Sequence, residues 1–342
     1  MVCAHKVLFL TQRGQRHQAE ALAAAPSEFD VLMRREPSRE EVLALVPEIE
    51  FLISERSGLI DSEMIAEGSS LKLIQRLGRQ TWDIDLEAAE NAGVPVCCLP
   101  VAGCQLVAEH MIMQALALIK RLRESISIAQ AASSEWGLPQ ACTEDYFAYN
   151  WSGRKRISGL FDKTVGILGF GEIGVEIALR LSSFDCTVFY HKRNPLPQST
   201  EQSLNIGFAN VEEIQENCDV IMNLLPDLQQ TYHFLDDAFY SRCKRGMVMI
   251  HAGGGTTVDP QATAEALLSG HLGGAALDTF NCEPIRPDDP LVSLAKMDKT
   301  VNLLLTPHVA AGTETGEMYS RACDYINLTA LLAGKPLKYR VV

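Results

Sequence analysis

Apolar runs of strand length alternate with amphipathic stretches of helix length along almost the whole chain. The early runs are KVLFLT, FDVLM, EFLIS, LKLIQRL and VPVCCL; a second series follows, TVGILGF, CTVFYH, DVIMNLL, GMVMIHA, GGAALDTF and VNLLLTPH. Between them lie SREEVLALV, DSEMIAEG, DLEAAENAG and DPQATAEALLSG, which read as helices. Strands separated by helices form parallel sheets covered on both faces, so the fold class is α/β and the two series predict two doubly wound domains. Between the series, CQLVAEHMIMQALALIKRLRESISIAQAA predicts one long helix. The next segment, EWGLPQACTEDYFAYNWSGRKRISGLFDK, has no period and predicts a connection, with Trp136 packing against the second domain. ETGEMYSRACDYINLTALLAG predicts a C-terminal helix.

Composition narrows the function classes. A chain of 342 residues exceeds one ordinary core, and 47% hydrophobic content describes a globular protein. A net charge of −13 argues against nucleic acid as the main partner, since phosphate backbones call for a basic surface. The apolar stretch MIMQALALIK is read as too short for a membrane span, and MVCAHKVLFLTQ as a first strand rather than a leader. The ten cysteines include no CxxC and read as reduced core thiols of a cytoplasmic protein, with no metal site.

The segment TVGILGFGEIGVEIALRLSSF places Gly169, Gly171 and Gly174 as GxGxxG between a strand and a helix. That setting predicts a tight turn whose backbone, through Phe170, Glu172 and Ile173, lies against a dinucleotide pyrophosphate at a helix N-terminus. An acidic residue about 20 positions on would accept ribose hydroxyls. Here Lys192 lies 18 residues after Gly174, followed by Arg193. Two cations pair with a 2′-phosphate instead, so NADP(H) is the expected cofactor, with NAD possible; the alternative is a solvated basic loop.

The ordered segments GVPVCCLPVAGCQLVAEH, GFGEIG, CDVIMNLLP, VDPQATAEALLSGHLGGAALDTFNCEP and LLLTPHVAAGT resemble the D-isomer-specific 2-hydroxyacid dehydrogenase family. Members include glyoxylate/hydroxypyruvate reductases and phosphoglycerate dehydrogenases. The resemblance implies a Rossmann nucleotide-binding domain, residues 104–309, inserted in a flavodoxin-like substrate domain made of 1–103 and 310–342. It implies His308 as the general acid/base and Glu283 as the carboxylate that orients it. It implies cofactor contacts from Leu225, Pro226, Ala252, Gly253, Gly254, Asp278, His308 and Ala310, with Asp278 meeting the nicotinamide carboxamide. It also implies a homodimer paired through the nucleotide domains.

Two loops depart from the family pattern. Laying IHAGGGTTVD on I-N-x-x-R-G-x-x-V-D puts Gly254 at the position of the substrate-binding arginine and His251 at the asparagine. The substrate loop, Gly78, Arg79 and Gln80 in GRQTWDID, departs from G-x-G-x-D-N-I-D at Gln80 and Trp82. Arg79 could supply the missing guanidinium or point to solvent. The expected function is hydride transfer between a nicotinamide cofactor and a small 2-oxo or 2-hydroxy acid. The alternatives are a nucleotide-binding regulator with weakened catalysis, or a reductase of carbonyls lacking an adjacent carboxylate.

Overall fold

A computed structural model describes residues 4–55, 58–298, 300–312 and 321–342. The chain divides into two compact units, Met1–Gln105 with Gly312–Val342, and Leu106–Ala311. The boundaries expected from sequence each fall two residues earlier.

The first unit holds β1 (His5–Thr11), β2 (Phe29–Arg35), β3 (Phe51–Glu55), β4 (Leu73–Leu77) and β5 (Val96–Leu99). All pairings are parallel, in the order β2-β1-β3-β4-β5, the flavodoxin-like arrangement. Every residue of β3 and β4 is buried, which is why these strands read as continuous runs rather than alternating ones. Burying a side chain such as Phe9, Phe51 or Leu73 contributes about 1.5–3 kcal/mol each. The C-terminal residues complete this unit. Tyr325, at the end of the 3₁₀ turn Arg321–Tyr325, donates its hydroxyl to the Ala21 carbonyl at 2.8 Å. From the following helix, Ile326–Leu332, Asn327 donates to Gln75 Oε1 at 2.7 Å.

The second unit holds β6 (Thr164–Leu168), β7 (Thr187–His191), β8 (Gly207–Phe208), β9 (Val220–Asn223), β10 (Met247–His251), β11 (Leu272–Leu277) and β12 (Leu303–Leu305). The order is β12-β11-β10-β9-β6-β7-β8, again all parallel. Strand order reverses between β6 and β9, and in such sheets ligands bind beyond the carboxyl ends at that switch point.

Several expectations need correction. The long helix is two, Ala102–Ile119 and Leu122–Ala131, because Arg121 turns left-handed at φ +48°. Arg121 is held there by Glu124 at 2.5 Å, while Arg123 donates to the Leu303 and Ala295 carbonyls, tying the second helix to the edge strand. The first of these helices, 18 residues at mean hydropathy 1.3, is by length and composition alone able to cross a membrane, unlike the ten-residue stretch read from sequence. Its apolarity also serves packing, with Met111, Ala115 and Leu118 buried. Trp136 packs edge-on to Trp151 within its own segment, under the Arg154 guanidinium. The C-terminal helix begins at Ile326; residues 314–320 of that expected helix lie outside the described residues. Cys142, Cys282 and Cys323 are exposed rather than core thiols, whereas Cys97, Cys98, Cys104, Cys218 and Cys243 are buried.

Candidate active site

Three loops meet at the carboxyl edge of the second sheet, after β6, β9 and β10. They approach backbone to backbone. Gly169 adopts φ +83°, and a Cβ there would lie 2.7 Å from the Leu224 carbonyl carbon. A Cβ on Gly253 would lie 2.7 Å from the Leu225 oxygen. Gly171 faces open space, with nothing within 4 Å of where its Cβ would stand. It begins the helix Glu172–Leu181, whose N-terminus has no side-chain cap. A helix N-terminus behind an open glycine fits a bound phosphate. Gly174, buried, packs against Phe170, so the third glycine serves helix–strand closeness. Lys192 is half-buried and Arg193 exposed, just beyond the end of β7.

A buried polar network fixes these loops. Asn223, the last residue of β9, donates to Thr257 Oγ1 at 2.8 Å and to His251 Nδ1 at 3.0 Å, and accepts the Leu225 amide at 3.1 Å. With Nδ1 accepting, His251 carries its proton on Nε2 and donates to Thr279 Oγ1 at 3.1 Å. Thr279 then donates to the Gly253 carbonyl and Thr257 to that of Gly254, at 2.8 and 2.7 Å. Burial pushes the His251 imidazole down to about 4, against the pull of Asp227, Asp278 and Glu283, so it is neutral in this network at pH 7.

Gly254, where the family pattern led an arginine to be expected, leaves no room for a side chain. A Cβ there would collide with the Asp227 backbone nitrogen and carboxylate. That carboxylate accepts the Thr256 amide at 3.0 Å and hydroxyl at 2.6 Å, sealing the loop from the β9 side.

His308 and Glu283 come together from different loops. His308 Nδ1 lies 2.6 Å from Glu283 Oε2, and Glu283 Oε1 accepts the Phe280 amide at 3.0 Å. The His308 side chain is 58% exposed, so its Nε2 edge is accessible. The histidine sits at φ +52° in a loop pinned by Asp278. Asp278, fully buried, accepts from Thr306 Oγ1 at 2.5 Å, Val309 N at 3.0 Å and Ala310 N at 2.8 Å. Gln114 donates to Thr306 Oγ1 at 3.2 Å, bracing the loop from the helix Ala102–Ile119. Asp278, expected to meet a nicotinamide carboxamide, thus holds the histidine loop, and the Ala310 amide is spent inside the protein.

The D-isomer specific 2-hydroxyacid dehydrogenase NAD-binding domain model matches residues 112–310. The chain belongs to that family. The match covers nearly all of the second unit, which is thereby the family's nicotinamide-cofactor domain. The chain is 30% identical over 299 residues to a glyoxylate reductase of Thermofilum pendens, covering 87% of this chain and 83% of that one. It is 31% identical over 303 residues to a D-3-phosphoglycerate dehydrogenase of Mycobacterium tuberculosis, covering 88% of this chain but 52% of the relative, so it spans about half that relative's length. The crystal structure of a Pyrococcus horikoshii protein superposes at TM-score 0.57 with 27% identity, covering 98% of this chain and 95% of that one.

Within this family frame, Gly78, Arg79 and Gln80 lie in the first unit, after β4. Gly78 is buried, its amide donating to Leu99 O at 2.7 Å, while Arg79 is exposed. Beneath them, buried Arg76 bonds Asp83 at 3.0 Å, anchoring both ends of the loop. Leu225 and Pro226 lie in the β9 loop, and Ala252 donates its amide to Asn223 O at 3.3 Å. Sequence reading did not single out Asn223, Asp227, Thr257 or Thr279. The available signal was a polar residue closing an otherwise apolar run, as in DVIMN.

Proposed function

We propose that the protein is an NAD(P)-dependent oxidoreductase of small 2-oxo/2-hydroxy acids. The observation that carries this reading is the 2.6 Å contact of His308 Nδ1 with Glu283, which leaves Nε2 directed away from its anchor. The bound nicotinamide would supply or accept the hydride at the substrate carbon. Gly169, Gly171 and the amides opening helix Glu172–Leu181 would hold the pyrophosphate. In reduction, His308 Nε2 gives its proton to the carbonyl oxygen as negative charge develops there; in oxidation it removes the hydroxyl proton. Glu283 fixes the orientation of the imidazole through its contact with Nδ1. Asp278 positions the loop from below through the Val309 and Ala310 amides.

Lys192 and Arg193 support a preference for NADP(H), because two cations beyond β7 match a 2′-phosphate and cannot accept ribose hydroxyl hydrogens. Pairing into a homodimer is part of the same proposal, and Met113, 51% exposed on the helix Ala102–Ile119, is a surface suited to it.

Turnover of glyoxylate and hydroxypyruvate, followed by NADPH absorbance, tests the assignment. His308→Ala is expected to lower kcat by at least a hundredfold with cofactor affinity within a few-fold, and Glu283→Gln by tenfold or more. Undiminished turnover by His308→Ala would remove the histidine from the mechanism.

A further inference from the structure

At the opposite edge of the second unit's sheet, where β6, β9, β10, β11 and β12 begin, lies a cavity of about 500 Å³. Arg121, Arg156, Lys163 and Arg245 ring it, and Asp219 is the carboxylate in its lining. Asp219 is already engaged on both oxygens, by Lys244 Nζ at 2.7 Å and the Thr164 amide at 3.1 Å. Arg121 is held by Glu124. Arg156, Lys163 and Arg245 have no carboxylate within ion-pair distance among the described residues. One nitrogen of Arg245 donates to the Ser269 carbonyl at the end of helix Pro260–Leu268, as a cation at a helix C-terminus does, and its other nitrogens remain available.

This gathering of positive charge stands in a chain whose net charge is −13. Arg156, Lys163 and Arg245 repel one another around one cavity; the Asp219 carboxylate offsets part of that at Lys163, and an anion between them relieves the rest. The volume falls within the range of small-molecule sites. Ser158 and Asn302 also line it; the Asn302 amide is spent on the Leu118 and Gly273 carbonyls, so the cations supply the recognition. Five residues of β6 separate Lys163 from Gly169, roughly 17 Å of extended chain, so this cavity is distinct from the phosphate turn.

We propose that this cavity binds a small polyanion, carrying phosphoryl or clustered carboxylate groups, as a second ligand of the nucleotide domain. Guanidinium forks and an ammonium are the groups that recognise such anions.

The test uses the full chain saturated with NADP(H), so that the phosphate turn and the cations Lys192 and Arg193 are occupied and cannot take up the probe. Inorganic pyrophosphate and, separately, citrate are titrated calorimetrically into the unmodified protein and into Arg156→Ser/Lys163→Gln. The expected result is uptake of one equivalent by the unmodified protein and at least tenfold weaker binding by the variant. Response to pyrophosphate alone assigns a phosphoryl ligand, and response to citrate alone a polycarboxylate. Should the double variant fail to fold, the single Arg156→Ser, at an exposed position, is expected to bind about threefold more weakly. Absence of uptake of both probes by the unmodified protein, or equal affinity in the folded variants, would overturn the proposal.

Discussion

His251 makes the stability of the nucleotide domain depend on pH in a window set by burial. Its ring is fully buried, accepting from Asn223 at Nδ1 and donating to Thr279 from Nε2. Protonation would place a second N–H against the Asn223 amide and an unsolvated charge in the core. The folded value, about 4, lies below the ordinary 6.5. The unfolded chain therefore takes the proton first as pH falls. Stability from this group is complete above about pH 6.5, falls by up to about 1.4 kcal/mol per pH unit, and is lost by about pH 4. The whole window amounts to about 3 kcal/mol, of which roughly 2.5 kcal/mol is gone at pH 4.5. His251→Asn keeps a hydrogen-bonding side chain and removes the titration. Urea unfolding of both proteins at pH 7.5 and 4.5, followed by fluorescence in a Trp82→Phe background so that Trp136 and Trp151 of the second unit report, measures the difference directly. The gap between unmodified and variant protein should shift by roughly 2.5 kcal/mol in favour of the variant on acidification. A gap constant within about 0.5 kcal/mol across that range would refute a neutral, buried His251.

Gly254→Arg, which would introduce the arginine that the family pattern led to be expected there, is expected to lose about 1–3 kcal/mol of stability and gain no activity, because its Cβ collides with Asp227; thermal unfolding and turnover assays check both halves. Lys192→Asp is expected to erase or reverse the preference for NADPH over NADH, read from the two dissociation constants; equal affinities in the unmodified protein would end that assignment. Arg79→Ala is expected to raise KM and lower kcat for 2-oxo acids if Arg79 supplies the missing guanidinium; unchanged kinetics would remove Arg79 from substrate binding.

The two parallel-sheet units and the glycine turn after β6 were legible in the chain, and the family resemblance had paired His308 with Glu283, which the structure brings into contact. Buried parallel strands show themselves as continuous apolar runs, and the glycine spacing is local to one strand–turn–helix unit. The break at Arg121 was not legible, because apolar spacing continues through it while the turn is fixed by contacts from Arg121 to Glu124 and from Arg123 to distant carbonyls. The resemblance likewise put Gly254 at the position of an expected arginine, without giving a reason for the glycine. That reason lies 27 residues earlier in the chain, in Asp227, whose backbone and carboxylate fill the space a side chain would need. Asp278 followed the same rule: its motif was visible, but only packing of β11 against the loop after β12 turned its carboxylate onto the Val309 and Ala310 amides. Motifs carried within one turn of chain are written in order along the sequence. Contacts between loops of neighbouring strands exist only once the sheet has brought those strands side by side.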